Sequence, residues 1–157
     1  MVTQLTVFKD IIPGYRIRPV TDSEKTTKIS KEVRLLRAFE ESLLISYKQY
    51  LAALTNLIKT ARTDTSLKSS SLVAITAIGR LLVTLPHFNF RTELLQVIIH
   101  QLSRRTEDES FRKCQEAITT LFKEDEEGRA SLEAVTMISK MAKKRHYKIH
   151  PFVWIPY

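Results

Sequence analysis

The chain has 157 residues, 43% apolar and 27% charged, with a formal net charge of +8; that is enough for one domain with a buried core, and too apolar for a disordered chain. Three Gly and five Pro point to helices with few turns, and by this reading no apolar run approaches the ~20 residues of a membrane span. The N-terminus lacks a basic lead, an apolar core and a small-residue cleavage site, and the single Cys has no partner for an internal disulfide, so an intracellular chain is expected.

Val2 to Ile12 places Leu5, Phe8, Ile11 and Ile12 on one side of a short amphipathic helix. Pro13-Gly14 ends it, because Pro cannot continue the hydrogen-bond ladder and Gly frees the backbone. Tyr15-Arg16-Ile17-Arg18 then alternates, which predicts an extended segment with Tyr15 and Ile17 docked on one side and both Arg on the other. Two guanidinium forks suit carboxylates or phosphates, either within the domain, at Glu40 and Glu41, or on a partner. Thr21-Asp22-Ser23-Glu24 has capping-box spacing and predicts a helical turn.

Ser30 to Arg62 is the longest pattern. Leu36, Phe39, Leu43, Tyr47, Tyr50, Leu54, Leu57 and Ala61 recur in steps of three and four, with Ser30 as cap and no Gly or Pro inside. The spacing predicts a spine helix roughly 50 Å long, against which shorter helices pack. Leu35, Leu44, Leu51 and Ile58 widen the stripe, so more than one neighbour must cover it, from the domain or from a partner.

Asp64 to Ser71 is rich in Ser and Thr and reads as a loop. Leu72 to Leu85 reads as a helix with Ala74, Ala77, Ile78, Leu81, Leu82 and Leu85 inward, and Pro86 ends it. Phe88 and Phe90 follow, with Asn89 as a turn or cap residue. Helix 91–103 presents Leu94, Leu95, Ile98 and Leu102. Helix 108–123 presents Phe111, Cys114, Ala117, Ile118, Leu121 and Phe122. A solvated acidic turn at Glu124 to Glu127 closes at Gly128, and helix 130–144 presents Leu132, Val135, Ile138, Met141 and Ala142. Leu81 lies 37 residues before Ile118 and Leu94 lies 38 before Leu132, a period near that of HEAT and armadillo repeats. The expected fold is therefore one all-α domain. An amino-terminal helix and extended motif (1–20) lead to a spine helix (30–62), two HEAT/armadillo-like helix pairs (69–144) and a basic, aromatic tail (145–157).

Charge is uneven: 12 Lys+Arg face 7 Asp+Glu in residues 1–68, 8 face 10 in 69–133, and 5 face none in 134–157. Basic ends suit nucleic acid or an acidic protein surface, and equally a chain with no such partner. Lys140, Lys143, Lys144, Arg145, His146 and Lys148 crowd the end of the last helix, more cations than the helix dipole alone calls for. His150 to Tyr157 is apolar and aromatic and is expected to dock.

No catalytic constellation stands out. Three isolated Gly cannot form a phosphate-cradling loop. Cys114 shares the apolar face of Phe111 and Ile118 and reads as an inert core thiol; His100 reads as packed, and His87 as a loop residue beside two Phe. His146 and His150 have i,i+4 spacing but no third ligand nearby, so neither a metal nor a cofactor is expected. The chain does not read as an enzyme.

Lys9-Asp10-Ile11-Ile12-Pro13-Gly14-Tyr15-Arg16-Ile17-Arg18 closely resembles the opening motif of the nucleolar complex-associated protein 3 family. The similarity continues through Ser30-Lys31-Glu32-Val33 and Arg37-Ala38-Phe39-Glu40. It returns at Leu81-Leu82-Val83-Thr84-Leu85-Pro86-His87-Phe88-Asn89-Phe90, at Ala117 to Lys123, and at Ala130-Ser131-Leu132. It covers the family's amino-terminal domain and not the larger carboxy-terminal one, and the Asp64 to Ser71 linker is shorter than the resemblance leads one to expect. The resemblance implies a helical, HEAT-like, non-enzymatic factor of the nucleolus and nucleus. Such factors act in assembly and transport of the large ribosomal subunit precursor, with other nucleolar-complex proteins and pre-ribosomal RNA. Loading of replication proteins on chromatin is the alternative it implies; neither a membrane nor a small-molecule substrate is implied. On this reading Lys9, Asp10, Tyr15, Arg16 and Arg18 are candidates for partner binding. Lys140, Lys143, Lys144, Arg145 and Lys148 are candidates for nucleic-acid binding.

Overall fold

Helix starts follow the available caps. In the computed structural model, which describes residues 1–22, 28–104 and 108–146, Ser30 Oγ accepts the Val33 N–H at 3.2 Å and opens the long helix. Asp108 Oδ1 does the same for Phe111 N–H at 2.9 Å. The helices are α1 (Val2–Ile11), α2 (Lys31–Thr60), α3 (Lys68–Thr84), α4 (Arg91–Leu102), α5 (Glu109–Glu124) and α6 (Arg129–Lys144); no strand occurs among the described residues. Asp64 to Ser71 is not a loop. Asp64 Oδ1 accepts the Ser66 N–H at 2.9 Å, caps a short 3-10 turn (Thr65–Leu67) and leads straight into α3.

Neither Phe90 nor Gly128 caps α4 or α6 with its own side chain, and in the first turn of α6 Asp125 Oδ2 accepts the Ser131 N–H at 2.7 Å. Each of the two helices follows a residue in the left-handed region, Phe90 (φ 68°) and Gly128 (φ 70°). Gly accepts that conformation freely, whereas for Phe90 it costs on the order of 1–2 kcal/mol. Packing holds Phe90 there: its ring centroid lies 6.1 Å from that of Tyr47. The two left-handed residues stand 38 positions apart, the same spacing that separates Leu94 from Leu132.

The element at the centre is α3, not the long helix. α1, α2, α4 and α5 all pack on it, and it buries Ala74, Ile75, Ala77, Ile78, Leu81 and Leu82. Its small residues let α5 come close; a Cβ added at Gly79 would sit 3.0 Å from the Cβ of Ala117. Thr65–Thr84 has the length and apolar composition of a membrane span, contrary to the expectation that no segment does. Its apolarity is accounted for by four helical neighbours. α4 packs on α3, α5 and α6.

α2 is a 30-residue helix, roughly 45 Å long. Its carboxy-terminal half is core, burying Leu43, Tyr47, Tyr50, Leu51, Leu54 and Ile58. The predicted stripe fails in the amino-terminal half, where Val33, Leu35, Leu36 and Phe39 are exposed because the packed helices cover the stripe only from Leu43 onward. α6 departs too. Its buried side is Ala130, Ala134, Ile138 and Ala142, and Leu132 (69% exposed) and Val135 (52%) face outward. Small side chains let α6 sit close to its neighbours, which leaves the bulkier ones outside. In α1, Leu5, Phe8 and Ile12 are buried as expected and Ile11 is not. The Ser23-Glu24 half of the expected capping box, Lys148 and the aromatic tail lie outside the described residues.

Candidate functional site

The two segments that carry the resemblance touch each other. Pro86 ends α3, and the turn that follows buries Phe88 under Tyr47, with ring centroids 5.5 Å apart. Tyr47 also meets Phe8 of α1 edge-on at 5.2 Å, and Phe8 stacks on Tyr50 at 5.2 Å. This aromatic cluster fixes α1, α2 and the α3–α4 turn together. Beside it, Asn89 grips the backbone of Ile17 with both ends of its amide. Oδ1 accepts the Ile17 N–H at 3.0 Å and Nδ2 donates to the Ile17 carbonyl at 2.9 Å. His87 Nε2 lies 3.1 Å from the Pro13 carbonyl. An irregular segment needs such partners for its backbone groups, because no ladder supplies them.

With the segment seated, the Ile17 side chain is buried as expected. Tyr15 is not docked as an apolar group: its ring is half exposed, and its hydroxyl donates to Glu40 Oε1 on α2 at 2.7 Å. That hydrogen bond, with smaller contributions from burial and the Glu40 charge, pushes the phenol's pKa up. Glu40, one of the two carboxylates expected to meet the arginines, is thus taken by Tyr15. The charge of Arg16 contributes to lowering the pKa of the Glu133 carboxyl of α6. Glu133 also accepts from Arg91 Nε at 2.8 Å and from the Thr92 hydroxyl, while Arg91 Nη1 donates to the Pro86 carbonyl at 2.8 Å. Partial burial pushes Glu133 up, but these bonds and the two arginine charges outweigh it and hold the carboxyl below its ordinary value. Lys9, Asp10 and Arg18 are exposed.

The second group of candidates sits at the end of α6, where Lys140, Lys143, Lys144 and Arg145 are all exposed. Arg145 donates to the Ser103 carbonyl and ties that end to α4. Lys140, Lys144 and Arg145, but not Lys143, border an open groove of about 860 Å³ between α4 and α6. On α4, burial and then the charges of Arg62, Arg145 and Arg104 lower the pKa of His100. The recess holding Arg62 and Arg104 also contains Asp108 and Glu109.

Cys114 is fully buried; burial, then the Asp108 charge, push its thiol up to about 12, which leaves it protonated and inert. Among the described residues no three His, Cys, Asp or Glu side chains gather as a metal site. The arrangement offers three surfaces for contact: an exposed apolar ledge on α2, a seated motif beside it, and a basic-rimmed groove.

A family model described as Nucleolar complex-associated protein matches residues 1–50. Nucleolar complex protein 3 homolog of Danio rerio is 40% identical over 98% of this chain, and its Homo sapiens counterpart is 38% identical over 96%. Nucleolar complex-associated protein 3 of Saccharomyces cerevisiae is 38% identical over 98%. The chain spans about a fifth of the length of these relatives, 20% of the two vertebrate proteins and 24% of the yeast one. Along nearly all of its own length, then, this chain belongs to the nucleolar complex-associated protein 3 family.

Proposed function

We propose that this chain is a non-enzymatic helical binding unit that works in the nucleolus and nucleus, joining other nucleolar-complex proteins during assembly of the large ribosomal subunit precursor. The observation that carries the reading is the amino-terminal half of α2. Leu35, Leu36 and Phe39 are 62%, 49% and 49% exposed on one helix, and the Tyr15–Glu40 bond anchors the family motif beside them. Exposed apolar side chains grouped this way on an ordered helix suit a partner helix or groove, since burying them removes apolar surface from water. The names of the relatives support complex membership. The stacking of α3 on α5 and α4 on α6, with left-handed starts one period apart, supports a HEAT-like relation between the two pairs.

The test is recovery from nuclear extract with immobilised protein, with and without nuclease. The wild-type chain should retain nucleolar-complex proteins after nuclease treatment. Leu36→Asp with Phe39→Asp should lose them while melting at the wild-type temperature, because both side chains are exposed. Unchanged recovery by the double variant contradicts the reading.

A further inference from the structure

The groove between α4 and α6 shares no residue with the α2 ledge and has a chemistry of its own. Its apolar lining is Ile99 from α4, and Met137, Met141 and the outward-facing Leu132 from α6, beside the polar Thr92, Gln96 and Thr136. Leu132 is 69% exposed although it lies within α6. Methionine side chains adapt to varied apolar partners. Among the described residues the lining cations gather mainly at one end; Arg129, at the start of α6, lies at the other and pairs with Glu127 at 3.3 Å. Lys140 and Lys144, one turn apart on α6, share a face, and Arg145 follows them. Among the described residues lining the groove one is a carboxylate, Glu133, and it is engaged by Arg91 and Thr92.

From this combination we infer that the α4–α6 groove receives an acidic amphipathic helix from a partner protein. The helix lays its apolar face on Leu132, Met137 and Met141 and its carboxylates against Lys140, Lys144 and Arg145. α6 runs for 16 residues, roughly 24 Å, which matches an occupant of about four turns. Charge complementarity sets the sign of the partner. The apolar lining sets its class. A nucleic acid could use the cations, but single strands are held by stacking on aromatic rings, and among the described residues no Phe, Tyr or Trp lines the groove. A phosphate backbone would also leave the apolar lining uncovered.

Three fluorescent probes test this by anisotropy against the whole chain: a helical peptide of about 14 residues with Leu at i, i+3, i+4 and i+7 and Glu on its flanks, the same peptide with Lys for Glu, and an oligouridine RNA. The Glu peptide should bind and the other two should not. Lys140→Glu with Lys144→Glu, and separately Leu132→Asp, should each weaken the Glu peptide about tenfold or more. All these side chains are exposed, so the variants should keep the wild-type melting temperature. The charge-reversed protein should instead accept the Lys peptide. Equal binding of the two peptides would overturn the inference. So would RNA binding that fails in the Lys double variant and survives Leu132→Asp, since it would assign the tract to phosphates.

Discussion

Asn89 is the residue on which the seating of the family motif turns. Its amide satisfies both backbone groups of Ile17, 72 positions earlier in the chain. Asn89→Ala leaves both without those partners and should lower stability by about 1–3 kcal/mol, read as a shifted denaturant midpoint. It should also expose residues 9–18 to proteases before the rest of the chain, and an unchanged midpoint with unchanged proteolysis would show that the clamp carries nothing. The sequence marked Asn89 as a turn or cap residue, because those local roles are what Asn in such a segment usually does. A contact across 72 residues has no periodic signature. Glu133 was missed for the same reason, its ties to Arg91 and Thr92 lying 42 and 41 positions away. Its lowered pKa gives a pH prediction. A folded-state value below the ordinary 4.5 adds stability that is present above about pH 4.5 and is lost as pH falls through the folded value. Glu133→Gln should therefore lower stability at neutral pH and flatten the acid limb of a plot of denaturant midpoint against pH. An acid limb identical to wild type would contradict that coupling.

At the scale of the element, α2 is one helix with two jobs. Its carboxy-terminal half is core and its amino-terminal half is surface, although the apolar period runs through both. The period was legible because helical spacing is local; which turns of the stripe have neighbours depends on where α1 and α3 end, and that is not local. α6 teaches the reverse lesson. Its buried side is built mainly from Ala, so a search for large apolar residues picked Leu132 and Val135, which face outward. The division of α2 has a direct consequence. Leu54→Ala empties a fully buried position and should cost about 2–5 kcal/mol, whereas Leu36→Ala, half exposed, should stay within about 0.5 kcal/mol of wild type. Guanidinium denaturation of the two variants decides it; equal losses would mean that the ledge is part of the core.

For the molecule as a whole, helix content, helix order and the two basic ends were readable from composition and period. The carboxy-terminal half of α2, α3, α4 and α5 bury nearly all the side chains predicted for them. The packing centre was not readable. Length made α2 look central, but α3 holds that place because Ala74, Ala77 and Gly79 let neighbours approach on several sides. What results is a small helical stack with its motif clamped at one corner, an apolar ledge beside that corner, and a basic-rimmed groove between α4 and α6. The central claim is that the ledge is a protein-binding surface. A photo-crosslinking amino acid placed at Phe39, irradiated in nuclease-treated nuclear extract, tests it most directly. The account predicts a discrete protein adduct at position 39 and none when the same probe replaces Lys123, an exposed residue of α5. No adduct at position 39, or an adduct to RNA there in untreated extract, would contradict it.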